Sequence, residues 1–183
     1  MAKLVSKVYG EALFELAREN DSIREVWDEI KALSEILKSN EEFGAVMEHP
    51  SMTGDEKRNM IAGIFKGKLS DTVMGFLDVL TKKGRFSDLF DVIDYYDEQA
   101  KEFYNIGVAY ISTAVQIDDS MKQKVEKRLL ETTKYQSFEM NFDVDESLIG
   151  GMVIRIGDRV VDNSIRHKLD KMSADLSKLR IGS

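Results

Sequence analysis

The chain has 183 residues, enough for one large domain or two small ones. Its composition, 43% hydrophobic and 32% charged, is ordinary for a globular protein, and the absence of cysteine excludes disulfides and thiolate metal sites. No apolar run is long enough to span a membrane, and the formal net charge of −7 is the opposite of the basic footprint that nucleic-acid binding requires.

The negative charge is concentrated in the first part of the chain. Residues 1–105 contain 14 Lys and Arg against 21 Asp and Glu, whereas residues 106–183 contain 12 of each. An acidic surface favours a basic or neutral protein partner. The first residues are interrupted by charges, so we expect no signal peptide and a cytoplasmic protein.

Residues 1–48 are predicted to form three helices. The first has one wide apolar face at helical spacing, which comprises Leu4, Val5, Val8, Tyr9, Ala12, Leu13 and Leu16. After a polar break at 20–22, the second helix repeats the pattern with Ile23, Val26, Trp27, Ile30, Leu33 and Leu37. A short third helix over 41–47 is predicted to stop at His49-Pro50, because a residue before proline avoids the helical conformation.

Three more helices are predicted before residue 105. Thr53 and Glu56 match a capping box that opens the fourth helix, and Ser70 is the expected cap of the fifth, which ends near Gly84. A sixth helix is predicted over 87–103. The side chains expected to face inward are Met60, Ile61, Ile64, Phe65, Val73, Met74, Phe76, Leu77, Leu80, Leu89, Phe90, Val92, Ile93 and Tyr96.

The periodicity changes near residue 105. Residues 106–115 are rich in β-branched side chains and predict a strand, 118–133 returns to a helix, and 138–145 alternates between apolar and polar residues as a half-buried strand does. Residues 152–156 predict a third strand, Gly157-Asp158 a hairpin turn and 159–161 its return. A last helix follows, which we expect Asp162 or Asn163 to cap and which carries Ile165, Leu169, Met172, Leu176 and Leu179.

The predicted fold class is therefore α+β, in two domains. Residues 1–105 are expected to form an antiparallel bundle of about six helices, because the connections between the helices are short. Residues 106–183 are expected to form a small α+β domain with a short β-sheet and two helices.

No residue pattern in the chain predicts an enzyme, a cofactor site or a metal site. Gly150-Gly151 lacks the rest of a phosphate-binding motif and is better explained by a bend into the next strand. The acidic residues at 143–146 lack the glycine and closing glutamate of a calcium loop, and the two histidines lie in different predicted domains. Three arginines, Arg155, Arg159 and Arg166, form either a basic patch for a partner helix or ordinary solvated charges.

Three segments resemble the delta subunits of bacterial F-type ATP synthases, the counterparts of the mitochondrial oligomycin-sensitivity-conferring protein. Residues 9–17 (YGEALFELA) resemble the opening helix of that family, although the family often has alanine where Gly10 stands, and 76–86 resemble its fifth helix and the following turn. The most specific match is GGMVIRIGD at 150–158, followed by VDNSIR at 161–166. The family-signature residues, with an expected structural role, are Gly150, Gly151, Arg155, Gly157, Asp158, Asp162 and Ser164.

The resemblance implies a non-catalytic subunit of the peripheral stalk, or stator, that supports the coupling of ion transport to ATP synthesis. Residues 1–105 would bind the N-terminal helices of the head's alpha subunits, and 106–183 would contact the b subunits. The implied groove for an alpha-subunit helix involves Tyr9, Ala12, Leu13, Leu77, Val79 and Leu80. For these apolar helix positions, packing in the bundle core is the competing interpretation.

The resemblance also implies a cytoplasmic location on the inner face of the cell membrane, reached through the complex without insertion. No nucleic acid and no small-molecule substrate are expected as partners. The alternative function is a helical adaptor or regulatory module unrelated to ATP synthase. An undetected hydrolase is a third possibility, which fails because no nucleophile or acid–base constellation is present.

Overall fold

The computed structural model describes the backbone of residues 2–49 and 52–181, and the side chains of these residues except 2–5, 41, 42, 45, 48 and 176–181. The chain divides into two compact units, Met1–Lys101 and Glu102–Ser183. The first is helical and the second contains a four-stranded sheet, so the predicted α+β class is confirmed. Pro50 and the side chains of Leu4, Val5, Leu176 and Leu179, which the sequence analysis used, lie outside the described residues.

Six α-helices make up the described part of the first unit. They are α1 (Ala2–Glu19), α2 (Ile23–Ser39), α3 (Glu41–Glu48), α4 (Gly54–Phe65), α5 (Asp71–Lys82) and α6 (Leu89–Phe103). The helix predicted to begin at Ser87 begins instead with a 3₁₀ turn, Phe86–Asp88, and becomes α-helical at Leu89.

The two helix caps predicted for the first unit, at Thr53 and Ser70, are present. The Thr53 hydroxyl accepts a hydrogen bond from the Glu56 amide, and the Glu56 carboxylate accepts one from the Thr53 amide at 2.8 Å. The Ser70 hydroxyl accepts from the Val73 amide at the start of α5. The Glu29 carboxylate accepts from both the amide (3.0 Å) and the hydroxyl (2.7 Å) of Ser70, which ties α2 to the start of α5.

The predicted inward faces of α2, α5 and α6 are largely correct. All six apolar positions predicted on α2 are buried, and the buried residues of α5 and α6 include Val73, Phe76, Leu77, Leu80, Leu89, Val92, Ile93 and Tyr96. Met74 is only half-buried, and Phe90 and Ile64, predicted to face inward, are exposed. Phe90 lies one residue beyond Leu89, so it is turned about 100° away from the buried face of α6.

The bundle buries only one edge of the wide apolar face predicted for α1. Val8, Ala12 and Leu16 are exposed and Tyr9 is half-buried, so that Leu13 alone of the described predicted positions is buried. The face that enters the bundle instead comprises Ser6, Gly10, Leu13, Phe14 and Ala17. The bundle therefore leaves a second, aliphatic face of α1 uncovered.

Small side chains explain how α1 packs on this unexpected face. A Cβ atom at Gly10 would collide with the ring of Tyr95 on α6, so glycine is what allows this close approach. Phe14 then packs edge-on against Tyr96 of the same helix, with ring centroids 5.5 Å apart. Glycine destabilises a helix by about 1 kcal/mol relative to alanine. The close contact with Tyr95 explains why glycine nevertheless stands at position 10.

A network around Asp97 joins α2 to α6. Its carboxylate accepts a hydrogen bond from the Trp27 indole N–H (2.8 Å) and lies within ion-pair distance of Lys31 (3.1 Å) and Lys101 (2.6 Å). The Lys31 ammonium also lies 4.2 Å from the centre of the Trp27 ring. Burial raises the pKa of Asp97, but the hydrogen bonds from Lys101, Trp27 and Lys31 and the charge of Lys101 outweigh it, so the pKa lies below its usual value.

We expect Asp97→Ala to lower the free energy of unfolding by about 2 kcal/mol at pH 7, because it leaves a buried indole N–H unpaired and removes charged hydrogen bonds. A carboxylate with a depressed pKa in the folded state stabilises the fold above its unfolded pKa of about 3.9, and that contribution is lost as pH falls through the folded pKa. The free energy of unfolding of Asp97→Asn should therefore fall less steeply than that of the parent between about pH 5 and pH 3. Urea denaturation followed by Trp27 fluorescence measures both effects.

Asp94, exposed on the same helix, supplies the control. Asp94→Asn changes the net charge by the same amount and should leave the stability and its pH dependence within about 0.5 kcal/mol of the parent. Equal effects from Asp97→Asn and Asp94→Asn would contradict the role given to the network.

The second unit is built on a mixed sheet. Its strands are β1 (Ile106–Thr113), β2 (Ser137–Val144), β3 (Met152–Ile156) and β4 (Arg159–Asp162), in the order β2-β1-β3-β4. β1 pairs parallel with β2 and antiparallel with β3, and β3 pairs antiparallel with β4. The helix α7 (Asp119–Thr132) connects the two parallel strands, as such a pair requires, and α8 (Ile165–Ile181) follows β4.

One face of the sheet carries the core of this unit. Ala109 and Ile111 of β1 pack with Val125 and Leu129 of α7 and with Phe138 of β2. The partly buried side chains around this cluster are Leu130, Met140, Phe142, Met152, Ile154 and Ile156. Tyr110, one residue out of phase on β1, points to the other face and is exposed.

Candidate functional site

The exposed aliphatic face of α1 is the first candidate site. Val8 is 58% exposed and Leu16 44%, and Ala12 lies between them at a spacing of four residues. Tyr9, half-buried, borders the same side of the helix. An aliphatic row on a surface helix is the pattern by which a partner helix is held through anchors at i, i+3, i+4 and i+7.

Helix α5 contributes one exposed apolar residue. α1 and α5 are in contact, and Val79 is 43% exposed, although the adjacent Leu80 and the nearby Phe76 are buried. We call Val8, Tyr9, Ala12, Leu16 and Val79 the α1–α5 surface. Glu15 and Glu19 follow Ala12 by three and seven residues, so carboxylates border the aliphatic row on α1.

The structure separates the six residues of the implied groove into two groups. Ala12 and Val79 are exposed and Tyr9 is half-exposed, so these three are available to a partner. Leu13, Leu77 and Leu80 are buried, with at most 3% of each side chain accessible. Within the free chain these three leucines are core residues, and they can support a partner-binding surface only from beneath.

The sequence places Val8 and Leu16 on the wide apolar face of the first helix but does not single them out as surface residues. The available signal was the width of the apolar arc. Seven apolar positions between residues 4 and 16 cover about half of the helix circumference, more than the roughly 100° stripe that packing on one side requires. An arc of that width is typical of a helix with contacts on two sides.

The second candidate site is the family-signature segment, where β3 and β4 join α8. Gly151 has a φ of 80°, and a Cβ atom there would collide with the backbone carbonyl of Asn163 and lie 3.1 Å from the Ser164 Cα. Across the same junction the Gly150 carbonyl accepts a hydrogen bond from the Ile165 amide at 2.9 Å. The Met152 carbonyl accepts one from the Asn163 amide at 3.0 Å. The paired glycine therefore fixes the start of α8 against the start of β3.

The cap of α8 differs from the one predicted. The hydroxyl that accepts from the third residue of the helix belongs to Ser164, which bonds the His167 amide at 3.1 Å. Asp162, a predicted cap, instead accepts from the Ser164 amide at 2.9 Å, and Asn163 contributes its backbone to β3. Only 1% of the Ser164 surface is exposed, so this residue is a fixed part of the junction.

Two carboxylates, Asp145 and Asp162, accept hydrogen bonds at this junction. The hydrogen bonds from Ser164 lower the pKa of Asp162, with smaller contributions from the charges of His167 and Arg166. The hydrogen bonds from Ser147 likewise lower the pKa of Asp145, with Arg166 adding to the effect. The Arg166 guanidinium donates to the Ser147 hydroxyl at 3.1 Å, which links α8 to the turn before Gly150.

The remaining signature residues lie in the β3–β4 hairpin. Gly157 has a φ of 54° in the two-residue turn with Asp158, as the sequence predicted. Arg155 points to the open face of the sheet, where its guanidinium lies 4.8 Å from the centre of the Tyr110 ring. A cavity of about 350 Å³ opens beside this pair, and its other lining residues include Ser112, Asn141, Asp143 and Val160. Of the three arginines considered as a patch, Arg155 lies over Tyr110 and Arg166 bonds Ser147, so these two have different surroundings.

The exposed side of α8 is the third candidate site. Ile165, Leu169 and Met172 are all exposed, although their spacing is that of a packed amphipathic helix. We call these three residues the α8 stripe. Within the described residues of the second unit, α8 contacts mainly the 3₁₀ turn Glu146–Leu148.

In the part of the chain that the structure describes, no three His, Cys, Asp or Glu side chains are grouped to hold a metal ion. Nor is any described helix both long enough and apolar enough to cross a bilayer. What the arrangement can do is bind other chains through the α1–α5 surface and the α8 stripe.

Comparison with known proteins agrees with this picture. A family model described as ATP synthase delta (OSCP) subunit matches residues 5–176. An ATP synthase subunit delta from Lachnoclostridium phytofermentans is 48% identical over 182 residues and covers 100% of both chains. The one from Enterococcus hirae is 33% identical over 174 residues, or 95% of this chain and 96% of the relative. A chain of the Toxoplasma gondii mitochondrial ATP synthase hexamer has the same fold, with a TM-score of 0.72, 20% identity, and coverage of 93% of this chain and 96% of that one.

Proposed function

Because the chain belongs to the ATP synthase delta (OSCP) subunit family, we propose that it joins the alpha subunits of the catalytic head to the b subunits of the peripheral stalk. Members of this family are structural components of the F-type ATP synthase and carry no catalytic site of their own. In this proposal residues 1–105 bind the head and residues 106–183 bind the stalk. The helical adaptor unrelated to ATP synthase is not favoured, since the family match spans residues 5–176.

The observation that carries the head assignment is the aliphatic face of α1 that the bundle leaves exposed. An amphipathic N-terminal helix of an alpha subunit would cover Val8, Ala12 and Leu16 of α1 and Val79 of α5. Burial of apolar side chains contributes about 25 cal/mol per Å², so a few such anchors support a stable joint. Leu13, Leu77 and Leu80 would hold the two helices in position beneath the partner.

Charge supports the same occupant. Residues 1–105 carry seven more acidic than basic side chains. A partner helix with basic or neutral flanks would be drawn to this unit, whereas an acidic helix would be repelled.

The stalk assignment is supported by the α8 stripe. Ile165, Leu169 and Met172 form an apolar row that nothing in the described second unit covers. The stalk helices of the b subunits would lie along this row. Two separate surfaces on one chain would then let it resist the torque that the rotor exerts on the head, because each joint is formed by a different unit.

The proposed partners also determine where the chain acts. Bound to the head and to b, the chain would lie in the cytoplasm on the inner face of the cell membrane. It would be held there through the complex and would not enter the bilayer itself.

Titration of the full chain with a fluorescently labelled peptide tests the head assignment. The peptide is the N-terminal segment of the alpha subunit encoded in the same genome, and anisotropy is the readout, because Trp27 is buried against Asp97 and not on the α1–α5 surface. We expect a Kd of about 1 μM or lower, equivalent to about −8 kcal/mol. No binding, or equal binding of a scrambled peptide, would contradict the assignment.

A further inference from the structure

Ile149 has a backbone conformation that its side chain disfavours. It follows the 3₁₀ turn Glu146–Leu148 with φ 67° and ψ −36°, and its amide donates to the Glu146 carbonyl at 3.1 Å. A β-branched residue at positive φ is a genuine outlier, because its Cβ crowds the backbone. Strain of this kind persists where the surroundings enforce it and is concentrated at functional positions.

Packing within the chain does not account for the isoleucine. Its side chain is 62% exposed, whereas the preceding Leu148 is buried in the second unit. Glycine would adopt this conformation without the steric cost, and the chain already has glycine at the next two positions. The described residues leave most of this strained aliphatic side chain in solvent, where a partner chain can bury it.

The position of Ile149 links it to the α8 stripe. The carbonyl of the next residue, Gly150, accepts a hydrogen bond from the Ile165 amide. A Cβ atom added at Gly150 would lie 2.6 Å from the Ile165 Cδ1 atom. Ile149 therefore stands beside the first residue of the stripe, at the N-terminal end of α8. We call Ile149 and the α8 stripe together the extended row.

Charge identifies the occupant of this extended row. The α8 segment, residues 165–181, contains five Lys and Arg against two Asp, in a chain whose overall charge is −7. Exposed Lys168 and Lys171 lie on the same helix as the stripe. A helix with an aliphatic face and acidic flanks matches both the apolar row and the basic charge.

We infer that Ile149 is a strained anchor for an amphipathic, acid-flanked partner helix that binds along the α8 stripe. The inference rests on the proposed function, in which the second unit holds the b subunits. Binding buries the Ile149 side chain, which the free chain leaves in water. The free energy gained by this burial offsets the backbone strain at Ile149.

The test is Ile149→Gly in the full-length chain, probed with a labelled peptide from the C-terminal segment of the b subunit of the same genome. We expect the affinity for this peptide to fall about tenfold, the equivalent of roughly 1.4 kcal/mol. The urea midpoint of the second unit, followed by far-UV circular dichroism, should rise because the strain is relieved. A residue with only a structural role would not move these two readouts in opposite directions.

Leu169→Ala separates the anchor from the proposed function. If Leu169→Ala weakens peptide binding and Ile149→Gly does not, the anchor role is overturned and the stalk assignment stands. If neither variant weakens binding, the assignment of the second unit to the b subunits fails, and the anchor fails with it. A lower urea midpoint for Ile149→Gly would show that Ile149 stabilises its own unit and would also overturn the inference.

Discussion

Replacing Gly151 with alanine is expected to destabilise the second unit by about 3 kcal/mol. Two costs add at this position. A Cβ atom at a φ of 80° costs about 1–2 kcal/mol, and its collision with the Asn163 carbonyl adds a further overpacking cost of about 1–3 kcal/mol. The contact is with backbone, so a side-chain rotation cannot relieve it. Because Asn163 and Ser164 immediately precede α8, the same change should displace that helix.

Gly157 provides the matched control for this prediction. It also has a positive φ, of 54°, but an added Cβ would meet nothing within 4 Å. Gly157→Ala should therefore cost only about 1 kcal/mol. Urea denaturation followed by far-UV circular dichroism measures the difference, and Trp27 fluorescence serves as an internal reference because Trp27 lies in the other unit. Equal losses from the two variants would show that the contact with Asn163 is unimportant.

The order of the elements could be predicted from the sequence because local signals and the fold agree for most of the chain. The capping box at Thr53 and Glu56, the helical period of α2 and the alternation in β2 each act within a few residues. The Gly157-Asp158 turn is also local, since two residues define it. Signals of this kind are present in the sequence before any tertiary contact forms.

The face that α1 buries could not be read from periodicity. Periodicity marks the side of a helix that carries the most apolar residues, which in this helix includes Val8, Ala12 and Leu16. The bundle instead took the side on which Gly10 and Ala17 permit close approach and Phe14 fills the space against Tyr96. Which side is buried depends on the shape of α6, and that information lies about 80 residues away in the chain.

The α8 cap shows a second limit. Asp162, Asn163 and Ser164 are all good capping residues, so the sequence cannot choose among them. The choice is made at the junction with β3. There the Gly150 carbonyl accepts a hydrogen bond from the Ile165 amide, and the Met152 carbonyl accepts one from the Asn163 amide. Gly151 packs closely against the Asn163 carbonyl, and the Ser164 hydroxyl is left to cap the helix. The resemblance to the family identified these residues as a set, and the structure gives the set a physical reason.

The largest effect on partner binding is expected from Ala12→Glu, which should weaken binding of the alpha-subunit peptide at least about 100-fold, or roughly 2.7 kcal/mol. Ala12 lies in the middle of the exposed row of α1, so a partner helix seated there would bury the new carboxylate without a counter-charge. Alanine and glutamate are both good helix formers, and the position is exposed, so the fold should be preserved. The measurement is peptide anisotropy, with circular dichroism to confirm an unchanged helix content.

Ala32→Glu makes the same chemical change at another exposed alanine, on α2 and away from the α1–α5 surface. It alters the net charge equally and therefore controls for any general effect of added negative charge on peptide binding. The affinity of Ala32→Glu for the peptide should stay within about twofold of the parent. Leu80→Ala, in contrast, should lower stability by about 2–5 kcal/mol, because Leu80 is fully buried. A loss of binding shared by Ala12→Glu and Ala32→Glu would point to long-range repulsion. A specific loss from Ala12→Glu alone requires that the partner touches α1 at the face that the bundle leaves open.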